Sequence, residues 1–346
     1  MDYRLLGRSG LRVSTLSLGT ATFGSTESGG WGAVDFAEAR QQIDMCLDAG
    51  VNVIDTSNAY AEGRSEEVVG QALKGRRDSV VLSTKVRFPV GDGVNDAGLS
   101  RFHILRAVED SLRRLRTDHI DIYHVHEWDG QVPLDETLHA LDSLVREGKV
   151  RYLGVSNYAG WQLMKALAVS DLHGYQRFVS NQIYYSLESR DAEYELLPLS
   201  VDQGLGVMVW SPLAGGLLTG KYRRDSSPEE GRHLAGWTEP PVRDEKRLYD
   251  TIDVIVRIAE VRQIPPAQVA LAYLLTRPAV STLIVGARTT EQLRQTLEAA
   301  DVELSQAELD DLDEVSSQPL IYPHWHQAEI PAGFRGPSDA VLHGFR

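Results

Sequence analysis

The chain has 346 residues, 42% hydrophobic and 24% charged, which is ordinary for a protein with a large buried core and leaves no long region reading as disordered. A formal net charge of −14 with no Lys/Arg cluster argues against nucleic acid as a partner. The single cysteine, Cys46, excludes an intrachain disulfide framework, and no apolar run is long enough to cross a bilayer. The opening MDYRLLGRSG has no apolar leader core, so a cytoplasmic protein with no membrane partner is expected.

In chain order, Tyr3 to Leu6 and Leu11 to Val13 predict a hairpin turned at Ser9-Gly10. Strand one is Leu16 to Gly19, and a Gly/Ser-rich loop from Thr20 to Gly32 leads to a helix opened by the capping-box pattern Asp35-x-x-Glu38 and closed at Gly50. Strand two is the β-branched run around Val53 and Ile54, ending in Asp55, with Tyr60 on the loop beyond it. Ser65 is expected to cap a short helix ended by Gly75. Strand three runs from Val80 to Thr84, and Ser100 caps a helix carrying Ile104, Leu105, Val108, Leu112 and Leu115 at helical period. Strand four is Ile120 to Val125, followed by a helix ending at Gly148. Strands five to eight are Val150 to Val155, Phe178 to Ile183, Val207 to Trp210 and Thr282 to Val285.

Eight strands alternating with helices predict a closed parallel (β/α)₈ barrel, with a doubly wound open sheet as the alternative. No composition break marks a boundary, so residues 1–346 read as one domain. The segment from Ser211 through Arg243 and the tail after Ser317 exceed barrel connections, and are expected to form a long loop after strand seven and a tail over the barrel mouth.

Polar groups gather at the carboxyl ends of strands two, three and four, where a parallel barrel builds its sites. A tyrosine is a poor acid at neutral pH, and Lys85 supplies a cation expected to lower its pKa. Asp55 can hold that ammonium and His126 can orient a carbonyl oxygen toward Tyr60. Four such groups around one oxygen make a carbonyl-polarising site.

The set Asp55, Tyr60, Lys85 and His126 resembles the catalytic tetrad of the aldo-keto reductases, (β/α)₈ barrels that move hydride from NAD(P)H to aldehydes and ketones. The resemblance extends through Tyr3-Arg4-x-Leu6-Gly7-x-Ser9-Gly10, Gly154-Val155-Ser156-Asn157, Asn181-Gln182, Trp210-Ser211-Pro212-Leu213 and Gly286-Ala287-Arg288-x-x-Glu291-Gln292-Leu293. These details are similar to the branch containing the potassium-channel β subunits. It implies an NADPH-dependent, reversible carbonyl reductase with Tyr60 as general acid, and a small-molecule carbonyl or alcohol as partner.

By the same resemblance, Ser156, Asn157 and Gln182 would bind the nicotinamide carboxamide and Trp210 would stack on its ring. Ser211, Leu213, Gly215, Lys221 and Arg232 would cradle the pyrophosphate and adenosine side, and Arg288 and Gln292 would reach the 2′-phosphate. Gly19, Thr20, Asp55, Pro212 and Gly286 complete the implied cofactor contacts. The pattern departs from the family at Gln295 and Thr296, and Gly286 stands where shorter-chain members place a lysine. Candidate substrate contacts are the aromatics Trp31, Phe88 and Trp128, with His324 and Trp325 in the tail, which suggest a cyclic or partly apolar carbonyl compound.

Three other chemistries fit the sequence less well. Gly215 to Lys221 matches a phosphate-binding P-loop until Tyr222, where a hydroxyl ligand for Mg²⁺ should stand. His124-x-His126 resembles a metal pair of a barrel hydrolase, but strands five to eight end in no further ligand, so no metal is expected. Paired carboxylates for glycoside cleavage reduce to Asp55 and Glu127, and Asp55 is claimed by Lys85. A nucleotide-binding regulatory subunit with incidental turnover is the alternative to an enzyme. No self-complementary surface is marked in the sequence.

Overall fold

The computed structural model describes residues 1–24, 34–226, 228, 231, 233–234 and 238–329. Its centre is a closed barrel of eight parallel strands: β3 (Leu16–Gly19), β4 (Val53–Asp55), β5 (Val81–Val86), β6 (Ile120–Val125), β7 (Val150–Ser156), β8 (Phe178–Tyr184), β9 (Gly206–Trp210) and β10 (Val280–Val285), with β10 pairing β3 to close the ring. The open sheet is therefore excluded. Every expected barrel strand is present, with ends shifted by at most two residues.

The hairpin, β1 (Tyr3–Leu5) with β2 (Arg12–Ser14), is antiparallel and separate from the barrel sheet. Its Leu6 and Val13 are fully buried in one apolar cluster with Val53, Ile122, Met208 and Ile284 from four barrel strands, so the hairpin plugs the amino-terminal end of the barrel. That plug leaves the carboxyl ends of the strands as the open face.

The barrel helices are α1 (Phe36–Asp48), α2 (Arg64–Ala72), α3 (Arg101–Leu115), α4 (Leu134–Arg146), α5 (Gly160–His173), α6 (Leu196–Gln203), α8 (Pro266–Leu275) and α9 (Thr290–Leu297), with α7 (Glu245–Arg262), α10 (Gln306–Ser316) and α11 (His324–Ala328) additional to the repeat. Their apolar faces and the outward strand residues form the main core. Ser100 caps α3 as expected, accepting from the His103 N–H.

Two caps differ from the sequence expectation. Asp35 caps α1, but Glu38 does not reach back to it; its carboxylate accepts from Thr290 on α9 instead. Ser65 is inside α2, whose cap is the left-handed Gly63. Its hydroxyl donates to the Thr20 carbonyl and meets the Thr20 and Thr56 hydroxyls, tying α2 to the ends of β3 and β4.

The long loop after β9 begins with a 3-10 helix, Ala214–Thr219, kinked at left-handed Gly215 and Gly216. The described tail packs along the connection after β8: Tyr194 donates its hydroxyl proton to the Pro319 carbonyl and its ring stacks on His324 at 5.5 Å. The expected tail over the barrel mouth is not seen among the described residues, since none of residues 317–329 lines the cleft, and residues 330–346 lie outside the described residues.

Candidate active site

Strand periodicity selects which side chains enter the site. Asp55, Lys85, His126, Ser156, Gln182 and Trp210 stand at or just beyond the carboxyl ends of consecutive strands β4 to β9. Asp55, Lys85 and His126 are 2%, 0% and 9% exposed, so their charges and dipoles act in a largely dry setting.

The four expected residues converge. Lys85 Nζ donates to Asp55 Oδ2 at 2.5 Å, to the Thr56 carbonyl at 2.8 Å and to the Tyr60 hydroxyl at 3.3 Å. Asp55 Oδ1 accepts from Ser83 Oγ at 2.7 Å and Gln182 Nε2 at 3.0 Å, so both carboxylate oxygens are occupied. The Tyr60 ring lies edge-on to His126 with centroids 6.0 Å apart, and Phe88 also packs edge-on to His126, at 4.5 Å.

Electrostatics sorts these groups into forms. Burial works to lower the Lys85 pKa, but Asp55 and Tyr60 outweigh it and leave it raised, so the ammonium stays charged. Burial pushes the Tyr60 phenol above its ordinary value while Lys85 pulls it down and Asp55 pushes it up. The expected lowering by Lys85 is present, but burial outweighs it and Asp55 adds in the same direction as burial. Tyr60 is thus a protonated phenol at neutral pH. Burial, then the Lys85 charge and more weakly that of Arg87, hold His126 well below the usual imidazole range, so it is neutral. The Ser57 hydroxyl accepts from the Ala59 N–H and lies 3.3 Å from His126 Nδ1. When the Ser57 hydroxyl donates its proton there, His126 carries its own proton on Nε2, which is then the free donor.

A second polar layer lies beneath. His124 Nδ1 is 3.1 Å from Ser83 Oγ and Nε2 is 3.0 Å from Ser180 Oγ. Because Ser83 spends its proton on Asp55, His124 must donate from Nδ1 and accept from Ser180 at Nε2. Burial lowers the His124 pKa to about 3, consistent with that neutral form. His124 sits one layer below His126 with both nitrogens engaged, and among the described residues no group of three or more His, Cys, Asp or Glu could hold a metal ion. The layer depends on Gly154, since a Cβ there would lie 2.3 Å from His124 Cδ2 and Nε2.

Tyr60 is carried by an unusual turn. Ala61, Glu62 and Gly63 follow it with φ of 48°, 59° and 89°, three successive left-handed residues that only glycine adopts without cost. Behind the turn, fully buried Glu66 accepts from Arg114 Nε at 2.7 Å and Thr84 Oγ1 at 2.6 Å, fastening α2 to α3 and β5.

One cleft of about 1000 Å³ opens over these groups. Gly19, Thr20, Asp55, Tyr60, Phe88, His126, Ser156, Asn157, Gln182 and Trp210 line its inner end, and Ser211, Pro212, Leu213, Gly215, Lys221, Gly286, Arg288 and Gln292 line the rest. Gln295 and Thr296, the departures from the family pattern, line it too. Trp210 is half-buried and tilted against Tyr184 at 5.0 Å, so it is a cleft wall. The side chain of Asn157 is already committed, donating to the His126 carbonyl and accepting from Trp210 Nε1, each at 3.0 Å, which makes it a brace between strand ends.

Other expectations fail or fall outside. Trp128 packs against Tyr158 and Trp161 at 5.2 and 5.7 Å and does not line the cleft; neither do His324 and Trp325. Trp31 and Arg232 lie outside the described residues. The P-loop resemblance ends structurally: left-handed Gly215 and Gly216 kink a 3-10 helix, and no helix follows Lys221 directly. Sequence reasoning missed Ser83 and Ser180, although each stands two residues before a site residue on the same strand face. It also missed Glu62, which lines the cleft from the left-handed turn.

The Aldo/keto reductase family model matches residues 15–317. The chain belongs to the aldo/keto reductase family. Similar proteins include an uncharacterized oxidoreductase, YrpG, of Bacillus subtilis, 41% identical over 330 residues that cover 92% of this chain and 97% of the relative. A probable voltage-gated potassium channel subunit beta of Arabidopsis thaliana is 36% identical, covering 87% of this chain and 92% of the relative. The versiconal hemiacetal acetate reductase of Aspergillus parasiticus is 33% identical, covering 93% of this chain and 99% of the relative. This aldo/keto reductase is accordingly an oxidoreductase of a family that uses nicotinamide cofactors and small-molecule substrates. No helix among its described residues is long and apolar enough to cross a membrane.

The residues present fit a nicotinamide dinucleotide. Ser156 Oγ is buried without a hydrogen-bond partner at the inner end of the cleft, and Gln182 spends its Nε2 on Asp55 while Oε1 remains to accept. Toward the outer end, Arg288 is exposed and has no carboxylate partner among the described residues.

Proposed function

We propose that the protein is a reversible, NADPH-dependent carbonyl reductase in which a single barrel unit brings cofactor and substrate together in one cleft. The observation that carries this reading is the convergence of Lys85 on both Asp55 and Tyr60 beneath a cleft with a neutral His126 beside it.

Ser156 and Gln182 would hold the carboxamide, Trp210 would cover one face of the ring, and Arg288 and Gln292 would hold the 2′-phosphate end. Bound there, the reduced nicotinamide supplies a hydride to the carbonyl carbon. The rest is the work of this chain's residues. Nε2–H of neutral His126 donates a hydrogen bond to the carbonyl oxygen and orients it toward Tyr60. The Tyr60 hydroxyl gives that oxygen its proton as negative charge develops. Lys85 stabilises the resulting phenolate, and Asp55 keeps Lys85 charged and in place. Preorganised donors of this kind stabilise a developing oxyanion because they need no reorganisation during the reaction. In the oxidative direction the phenolate takes the proton back from the alcohol.

Three of the residues that would take part arise from one face of consecutive strands, which supports a pocket built for a catalytic step. The second reading, a nucleotide-binding regulatory subunit with incidental turnover, draws on the relative named as a channel β subunit. A panel of aromatic, aliphatic and hydroxylated aldehydes and ketones with NADPH separates the two. Turnover on the order of one per second or faster on some member supports the reductase, given that enzymes run near 1–10³ s⁻¹. Slow turnover across the panel with tight NADPH binding favours the regulatory subunit.

A further inference from the structure

Glu38 is a carboxylate that the proposed mechanism leaves without a task. It projects from α1 onto the first turn of α9, where its Oε1 accepts from both the N–H and the hydroxyl of Thr290 at 2.5 Å. Its other donor is Gln42 Nε2 at 3.4 Å, and no Lys or Arg among the described residues pairs with it. Thr290 opens α9, so a full negative charge rests on the positive end of that helix. The hydrogen bonds from Thr290 hold the Glu38 carboxyl below the usual carboxylate range, so the charge is present throughout the neutral pH range.

The other side of the same turn faces the cleft. Arg288, Gln292, Gln295 and Thr296 line it, and Gln292 Oε1 accepts from the Arg288 backbone N–H at 3.2 Å. Two residues apart on a helix, Thr290 and Gln292 face opposite sides, so Glu38 reaches the cleft only through the field of one helical turn. An anion bound beside Arg288 would draw on that guanidinium and on the helix terminus together. Glu38 has already neutralised part of the second contribution.

We propose that Glu38 sets how strongly this site prefers NADPH over NADH, by holding a negative charge behind the turn that meets the 2′-phosphate. The inference rests on the nucleotide reading above. Its effect falls on the nucleotide carrying a 2′-phosphate of nearly two negative charges and spares the one carrying a neutral 2′-hydroxyl. The chain thereby keeps NADPH preference moderate and NADH usable.

The test isolates charge from anchoring. Glu38→Gln keeps an Oε1 that both Thr290 donors can reach and removes only the charge; Glu38→Ala removes both. NADPH and NADH are titrated into wild type and both variants, at low and at high salt, following the quenching of protein fluorescence. Glu38→Gln should tighten NADPH by about three- to tenfold and leave NADH within about twofold, with the gain shrinking at high salt. Glu38→Ala, which frees the α9 turn, should weaken both nucleotides. An unchanged NADPH/NADH ratio in Glu38→Gln, or an equal shift of both nucleotides, overturns the proposal and leaves Glu38 as an anchor. If wild type binds neither nucleotide, the cofactor reading falls and this inference with it; binding of both with an invariant ratio defeats the inference alone.

Discussion

The floor of the cleft and its outer wall are built on opposite plans. On the floor, Asp55, Lys85, Ser83, His124 and Gln182 come from strands and satisfy one another through bonds of 2.5 to 3.1 Å, including a fully buried ion pair. Along the wall, Ser211, Gly215 and Gly216 are left-handed residues of the long connection after β9, and Arg288 is exposed without a carboxylate partner among the described residues. Strands can fix a constellation to within fractions of an ångström because pairing and pleat hold both backbone and side-chain direction. Loops cannot do this as firmly, but they bring backbone N–H groups and cations to a ligand. The difference separates groups whose geometry is set in advance from groups that a ligand must complete.

The sharpest way to break that contrast is to remove one member of the floor. Lys85→Met leaves the Asp55 carboxylate buried without its cation, which should cost about 3–5 kcal/mol of stability. It should also cut the carbonyl-reduction rate by at least roughly 10², the usual scale for lost acid–base help. Thermal unfolding and steady-state kinetics check the two effects, and a variant as stable as wild type would show that the floor is less tightly coupled than its distances imply.

Next in size is Gly154→Ala. With its Cβ at 2.3 Å from the His124 ring, His124 must move and release Ser83, which orients Asp55. Overpacking of this kind costs about 1–3 kcal/mol, and chemical denaturation measures it. On the wall, Arg288→Ala should be milder for the protein and larger for the ligand. It should reduce NADPH affinity relative to NADH by a factor of about ten to a hundred, equivalent to a charge-assisted bond of 1.5–3 kcal/mol, with unfolding unchanged. Equal nucleotide titrations before and after the change would remove Arg288 from the site.

A further effect is one of pH. His124 has a folded pKa of about 3, depressed from an unfolded value near 6.5 by burial. A depressed folded pKa contributes stability that is fully present above the unfolded value and is lost as pH falls through the window from about 6.5 toward 3. Stability against denaturant should therefore decline over that window. His124→Asn should flatten this component of the decline, and a variant with wild-type pH dependence would show that other groups carry it.

Much of the floor was legible because period-two alternation and β-branched runs locate strands without reference to tertiary contacts. That pattern alone places Asp55, Lys85 and His126 at strand ends, and the structure brings them together with Tyr60. The hairpin was also legible as an element, though its use as a barrel plug depends on Leu6 and Val13 meeting four distant strands. Side-chain commitments were not legible. Glu38 fits a capping box locally, but Thr290, 252 residues away, offers two donors to its carboxylate. Ser65 resembles a cap, yet Gly63 reaches the left-handed conformation that starts α2 and frees the serine for Thr20 and Thr56. Trp128 has the residue type expected of a pocket wall, and only packing against Tyr158 and Trp161 shows that it belongs to another cluster. The raised Tyr60 pKa is likewise not legible in the sequence, since the balance of burial against the Lys85 ammonium depends on how deeply the phenol is buried and how near the ammonium lies.

The account stands most directly on Tyr60. Tyr60→Phe keeps the ring that packs against His126 and removes only the hydroxyl beside Lys85. The decisive measurement is the single-turnover rate of carbonyl reduction by this variant with NADPH bound, alongside NADPH titration and thermal unfolding. The expected result is a rate lower by at least about 10², with NADPH affinity and stability close to wild type. A near-wild-type rate would contradict the assignment of Tyr60 as the proton donor and the site built around it.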